Sequence, residues 1–190
     1  MRRSNGFTLV ELMVALAVAG FLVAMAAPSF ESAINGSRLS GGVNELASAL
    51  QLARAEAVRR NRRATLCRSE NGSTCAAANG EWSNWIVFVD TDSSGQRDGT
   101  ETIVKTGTLD SPLHVLPSAS IAALTSRISF RGDGVARASD GLALLNGTLA
   151  VCVATAAPAQ NVHELNIAFG SRTAVRRRDG GGTCSTPEDN

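Results

Sequence analysis

The chain of 190 residues has no tyrosine, and aromatic residues make up only 4% of it. That scarcity counts against a surface on which nucleobases stack. The four cysteines, Cys67, Cys75, Cys152 and Cys184, form no C-x-x-C pair. The two histidines, His114 and His163, are not spaced as zinc partners. No glycine-rich phosphate loop or dinucleotide fingerprint is present, and no nucleophile stands in a catalytic setting, so neither an enzyme nor a cofactor is expected. The net charge is +1. The molecule is not a polycation, and any affinity for nucleic acid must come from local clustering.

What the chain does have is an apolar start. Met1-Arg2-Arg3-Ser4-Asn5-Gly6 is a short basic leader. From 7 to 27 the chain is apolar apart from Thr8 and Glu11. At about 1.5 Å rise per residue, such a helix reaches across a hydrocarbon layer of about 30 Å. A charge at the centre of a membrane helix costs about 2.5–3.5 kcal/mol, and less near an edge. A plain anchor has no use for Glu11. One helical turn from Phe7, it is placed to neutralise a freed α-amine on a neighbouring copy and so to fix axial register. A secretory signal cut after Ala26 and a simple signal anchor are the competing readings. The length of the run and Glu11 count against both, and Arg2 and Arg3 fit a leader kept in the cytoplasm.

Gly6-Phe7-Thr8-Leu9-Val10-Glu11-Leu12 resembles a type IV prepilin signal, the leader of pilins and type II secretion pseudopilins. The resemblance implies that a prepilin peptidase cuts between Gly6 and Phe7 and methylates the amine of Phe7. It also implies that Glu11 serves assembly.

Beyond the apolar segment, Pro28 predicts a kink, because it lacks an amide hydrogen and clashes with the preceding turn. Helix then resumes, with Leu39, Val43, Leu46, Leu50, Ala53 and Ala57 as an amphipathic stripe. Asn35-Gly36 and Gly41-Gly42 weaken it. One long, interrupted helix from 7 to about 60 is expected. After Arg62 the period becomes two. Strands are expected at 64–68, 85–90, 102–106, 113–116, 127–131, 149–154 and 164–169, with a further one at 173–177. Between them lie turn clusters such as Asn71-Gly72 and Asp140-Gly141. The expected divisions are a leader 1–6, a membrane or filament-core helix 7–27, an amphipathic helix 28–61 and a β-rich head 62–190. Within the head, Gly180-Gly181-Gly182 and the final residues 186–190 read as loose.

An even cysteine count beyond a membrane segment suggests two disulfides in an oxidising compartment. Three pairings are possible. The favoured one joins Cys67 to Cys75, closing a short loop, and Cys152 to Cys184, tying the tail to a strand.

The stretch Arg54-Ala55-Glu56-Ala57-Val58-Arg59-Arg60, then Thr65-Leu66-Cys67-Arg68, Trp85-Ile86-Val87-Phe88-Val89-Asp90, Arg97-Asp98 and Glu101, resembles the GspH/FimT family of minor pilins and pseudopilins. The resemblance covers most of the chain. It implies an α+β, type IV pilin-like fold, with a long N-terminal helix packed on an antiparallel two-sheet head. It implies a single-pass protein of the bacterial inner membrane with its head in the periplasm, later built into a filament with other pilins or pseudopilins.

Arginines concentrate in two places. Arg54, Arg59, Arg60, Arg62, Arg63 and Arg68 surround the helix end. Arg172, Arg176, Arg177 and Arg178 crowd the C-terminal region. Guanidinium groups suit phosphates, being always charged and forked. Some members of the FimT branch bind DNA through a Gly-Arg-x-Arg motif. Here Ser171 precedes Arg172, and Ala174 stands where the second arginine belongs, so the match is imperfect. Sequence-independent binding of double-stranded DNA is one expectation. A purely structural pseudopilin without DNA binding is the other.

The stretch 90–101 matches the spacing of a 12-residue calcium loop, with Asp90 first, Gly95 sixth and Glu101 last. Strands are expected on both sides rather than helices, and Arg97 brings a positive charge. A polar hairpin loop without metal is the expectation.

Overall fold

The computed structural model describes residues 7–138 and 142–190, with the backbone alone for 24–28. The leader 1–6 and the expected turn at Asp140-Gly141 lie outside the described residues.

One helix, α1 (Leu9–Arg60), organises the chain. It runs on as helix through Pro28 and through both glycine pairs, so the expected interruptions are not seen. Packing explains the second half. Leu39, Val43, Leu46, Ala49, Leu50, Ala53 and Ala57 are all essentially inaccessible and belong to the main core. Burying each larger side chain is worth about 1.5–3 kcal/mol, which exceeds the roughly 1 kcal/mol penalty of a helical glycine. Gly42 marks a close approach of helix to head. A Cβ there would lie 2.9 Å from Leu113 Cδ1 and 3.3 Å from Val151 Cγ1. The helix ends at Asn61, which turns left-handed (φ 49°) and donates its amide back to the last turn. Arg59 and Arg60 both pair with Glu56, at 2.6 and 2.7 Å.

Among the described residues, the head carries two four-stranded antiparallel sheets. The first contains β1 (Arg63–Ser69), β2 (Asn84–Asp90), β3 (Ile103–Thr108) and β5 (Arg127–Phe130), in the order β3-β2-β1-β5. The second contains β4 (His114–Pro117), β6 (Gly147–Cys152), β7 (Val162–Ala168) and β8 (Arg172–Arg178), in the order β4-β6-β7-β8. All eight expected strands exist, with ends moved by one or two residues. A single-turn helix, α2 (Ala119–Ala122), follows β4 and was not anticipated from the sequence.

Both sheets turn apolar residues onto the same stripe of α1. Leu66, Val87 and Ile128 come from the first sheet, and Leu149, Val151 and Leu165 from the second. Trp82 and Trp85 are fully buried in this core. Disulfides join Cys67 to Cys75 and Cys152 to Cys184. The first packs with Ile86 and Phe88 in a satellite cluster of its own, and the second binds the C-terminal segment to β6.

Candidate functional site

Three places carry the residues singled out from the sequence. The first is the start of α1. Thr8 is the N-cap: its hydroxyl accepts from the amide of Glu11 at 3.2 Å, and its own amide points back to Glu11 Oε2 at 3.5 Å. This reciprocal capping box satisfies two amide groups that the first helical turn leaves free. The sequence signal was Thr8-Leu9-Val10-Glu11, an S/T-x-x-E pattern that the reading of Glu11 as an intermolecular partner passed over. Around this cap the helix is bare. Phe7 is 84% exposed, Leu9 74% and Phe21 63%. Among the described residues, no helix is long and apolar enough to cross a membrane. The expected span 7–27 is described with side chains only over 7–23. Gly6, the expected cleavage residue, lies outside the described residues.

The second place is β8, at the outer edge of its sheet. Neighbouring residues of a strand point to opposite faces, so the arginine cluster does not act as one group. Arg177 lies opposite His163 and looks toward α1, where both line a cleft with Gly36, Ser37 and Ser40. Arg176 and Arg178 point to the other face. There Arg178 donates to Glu164 Oε1 at 2.8 Å, and Arg176 sits directly opposite Glu164 in the ladder. Arg172, at the start of the strand, lies 5.9 Å from the Phe169 ring. Arg172, Arg176 and Arg177 are exposed.

The C-terminal segment closes over this outer face. Together with Glu164, Arg176 and Arg178 it bounds a cavity of about 490 Å³. The end is thus better held than the sequence suggested. Pro187 is buried. The Asp189 carboxylate accepts the Ser120 amide at 3.1 and 3.2 Å, which fastens the last residues to the start of α2. Burial opposes ionisation of Asp189, but the donors from Ser118 and Ser120 prevail and hold its carboxyl below the ordinary range. This anchor is a long-range contact between 120 and 189, which local pattern cannot announce.

The arginines near the end of α1 are mostly committed to structure. Arg54 donates to the Ser171 carbonyl at 3.2 Å. Arg68 donates to the carbonyls of Glu81 and Ala78 and pairs with Glu70. Arg62 and Arg63 line a shallow cleft with Thr91 and Ser93.

The third place is the loop between β2 and β3. It places one oxygen each from Asp90, Asp92 and Glu101 within 4.8 Å of one another. Asp90 and Glu101 are buried, at 0% and 3% exposed. Burial pushes the Asp90 carboxyl upward. The Ser94 amide holds that of Asp92 down.

Comparison with known proteins agrees with this architecture. Residues 1–27 match the prokaryotic N-terminal methylation motif. No curated protein sequence matches the chain significantly. Two crystal structures of the type IV minor pilin FimU from Pseudomonas aeruginosa share the fold at 17% identity. One superposes with a TM-score of 0.51, covering 73% of this chain and 92% of FimU; the other gives 0.53, with 74% and 89%. The long helix on a two-sheet head is therefore a type IV pilin fold. Residues 42–169 match the family described as type II transport protein GspH, and the chain belongs to that family.

Proposed function

We propose that the chain is a minor pilin-like subunit of a type IV pilus or type II secretion pseudopilus. A prepilin peptidase cuts it between Gly6 and Phe7 and methylates Phe7. The helix then holds it in the bacterial inner membrane, crossing once with the head in the periplasm, until it joins a filament of other pilins or pseudopilins. The observation that carries this reading is the uncovered apolar half of α1. Leu9, Val10, Leu12, Met13, Val14 and Leu16 are each more than half exposed, on every side of the helix. A helix that is apolar all round belongs in lipid or among other helices. Glu11, capped locally in the single chain, is one turn from the new amine and free to exchange its cap for a neighbour's.

The test is the mature N-terminus. The chain, produced with a prepilin peptidase, is recovered from membranes and analysed by mass spectrometry. A start at N-methylated Phe7 is expected, and any other start overturns the reading. Glu11→Ala is expected to leave cleavage intact and to reduce incorporation into sheared filaments.

A second reading, capture of double-stranded DNA, is favoured by one observation. Arg172, Arg176 and Arg177 are exposed along a sheet edge, and Arg176 has no ion-pair partner among the described residues. Arg178 contributes less, being paired to Glu164. The purely structural pseudopilin is the case in which this edge has no affinity for DNA at low salt.

A further inference from the structure

We propose that the β2–β3 loop is a binding site for one calcium-class divalent cation, held by Asp90, Asp92 and Glu101. Three carboxylates converge there, and the loop's own amides bind only part of them. Gly95 donates to Asp90 Oδ2 at 3.0 Å, and Ser94 to Asp92 Oδ1 at 2.9 Å. Thr91 and Asp98 donate to the two oxygens of Glu101. Asp90 Oδ1 is left over: it belongs to a fully buried side chain and has no hydrogen-bond donor among the described residues. A buried carboxylate oxygen without a partner is costly. One oxygen of Asp92 and one of Glu101 lie within 4.8 Å of an Asp90 carboxylate oxygen.

The nearby positive charges leave Oδ1 without a hydrogen bond. Arg63 approaches Asp90 at 3.8 Å, and does so on Oδ2. Arg127, whose Nη1 would lie 3.3 Å from a Cβ on Gly95, feels the Asp90 charge, but among the described residues no ion pair joins the two. Arg97, which argued against a metal from the sequence, is turned away: it donates to the Glu101 carbonyl at 3.2 and 3.1 Å and to the Ser73 carbonyl at 3.2 Å. Its charge therefore closes the loop from outside and ties it to the Cys67–Cys75 segment. The strands on either side are no obstacle either, since the ligands of a 12-residue calcium loop come from the loop. Gly95 takes the left-handed turn (φ +74°) that the sixth position of such a loop requires. The donors are all hard oxygens, with no nitrogen or sulfur, which selects calcium or magnesium over zinc. The loop's irregular, partly exposed frame suits calcium, which tolerates varied geometry, better than magnesium, which demands a near-ideal octahedron.

The test uses the full chain in detergent, stripped with chelator. Calcium chloride is titrated by calorimetry, and melting is followed with and without the ion. Saturable binding of one ion is expected, with melting raised by about 5–10 °C at a hundredfold excess over Kd. Asp92→Asn, at an exposed position, is expected to leave the metal-free melting temperature unchanged and to abolish the shift. Glu101→Gln checks the buried side. Absence of binding at about 10 mM calcium, roughly tenfold above the upper end of the extracellular affinity range, overturns the proposal. So does a shift that survives in Asp92→Asn, or an equal shift with magnesium.

Discussion

Gly107 is a position where adding one carbon should do great harm. It lies in β3 directly opposite Trp85 of β2. A Cβ built on Gly107 would fall 2.1 Å from Trp85 Cζ2 and 2.3 Å from Cε2. Ordinary carbon contacts are about 3.5–4.0 Å, so the ring must move by about 1.5 Å. It has no room, being 0% exposed and part of the main core, with Lys105 Nζ 5.3 Å from the ring centroid. Overpacking a core costs about 1–3 kcal/mol, and losing a buried Trp altogether about 3–5 kcal/mol. Gly107→Ala should therefore destabilise the head by about 3 kcal/mol, lowering the melting temperature by roughly 6–12 °C. The assay is guanidinium unfolding followed by tryptophan emission. The two tryptophans are both in the core, and no tyrosine interferes. Gly41→Ala is the internal control. It sits in α1, and its Cβ would meet nothing within 4 Å. It should stabilise by up to about 1 kcal/mol, by helix propensity alone. If Gly107→Ala stays within about 1 kcal/mol of the parent, the Trp85-over-glycine packing is wrong.

Three further outcomes are expected. Burial first, and then the charge of Arg177, hold the His163 imidazole below its ordinary value, against a hydrogen bond to the Leu39 backbone. The unfolded chain therefore takes up a proton below about pH 6.5 that the folded one refuses. Stability should fall with decreasing pH there, by at most about 1.4 kcal/mol per unit, and His163→Gln should flatten that slope in denaturant midpoints. Replacing Cys152 and Cys184 by Ser, across 32 residues, should cost about 3.7 kcal/mol in the chain-entropy account, against about 2.5 for Cys67 and Cys75 across 8; equal losses would contradict a loop-length origin. If the β8 edge binds DNA, the logarithm of affinity should fall against the logarithm of salt with a slope of about −0.9 per phosphate contacted. Arg176→Ala should then flatten the slope, whereas Arg178→Ala should change it less.

Much of this fold could be read from the residues, because it rests on periodicity. The stripe from Leu39 to Ala57 named most of the buried face of α1, missing Ala49 and the buried Asn35 and Gly42. Alternation located all eight strands, and where it erred it erred at ends fixed by turns, such as Phe169, left-handed at φ 50° and held by Asn146. Propensity was the poorer guide. Gly36, Gly41 and Gly42 looked like weak points, yet the packing of Leu39, Val43 and Leu46 carries the helix through them. Two features were in the sequence and went unread. One is the capping box at Thr8 and Glu11. The other is the alternation inside Arg176-Arg177-Arg178, which separates Arg177 from its neighbours as soon as the segment is a strand. The closing of 185–190 over β8 was not legible, since nothing near Asp189 in the chain points to Ser120.

The charge on β8 has a consequence for crowding. If the proposed filament forms, heads would meet along it at a fixed and very high local concentration. The outermost strand of each would offer its open backbone groups to the next, and sheet could grow from head to head. The three exposed guanidiniums of Arg172, Arg176 and Arg177 would make two such borders repel before they can zip. That safeguard would operate whether or not the edge ever touches a phosphate, and neutralising it should show first as clumping of the isolated subunit.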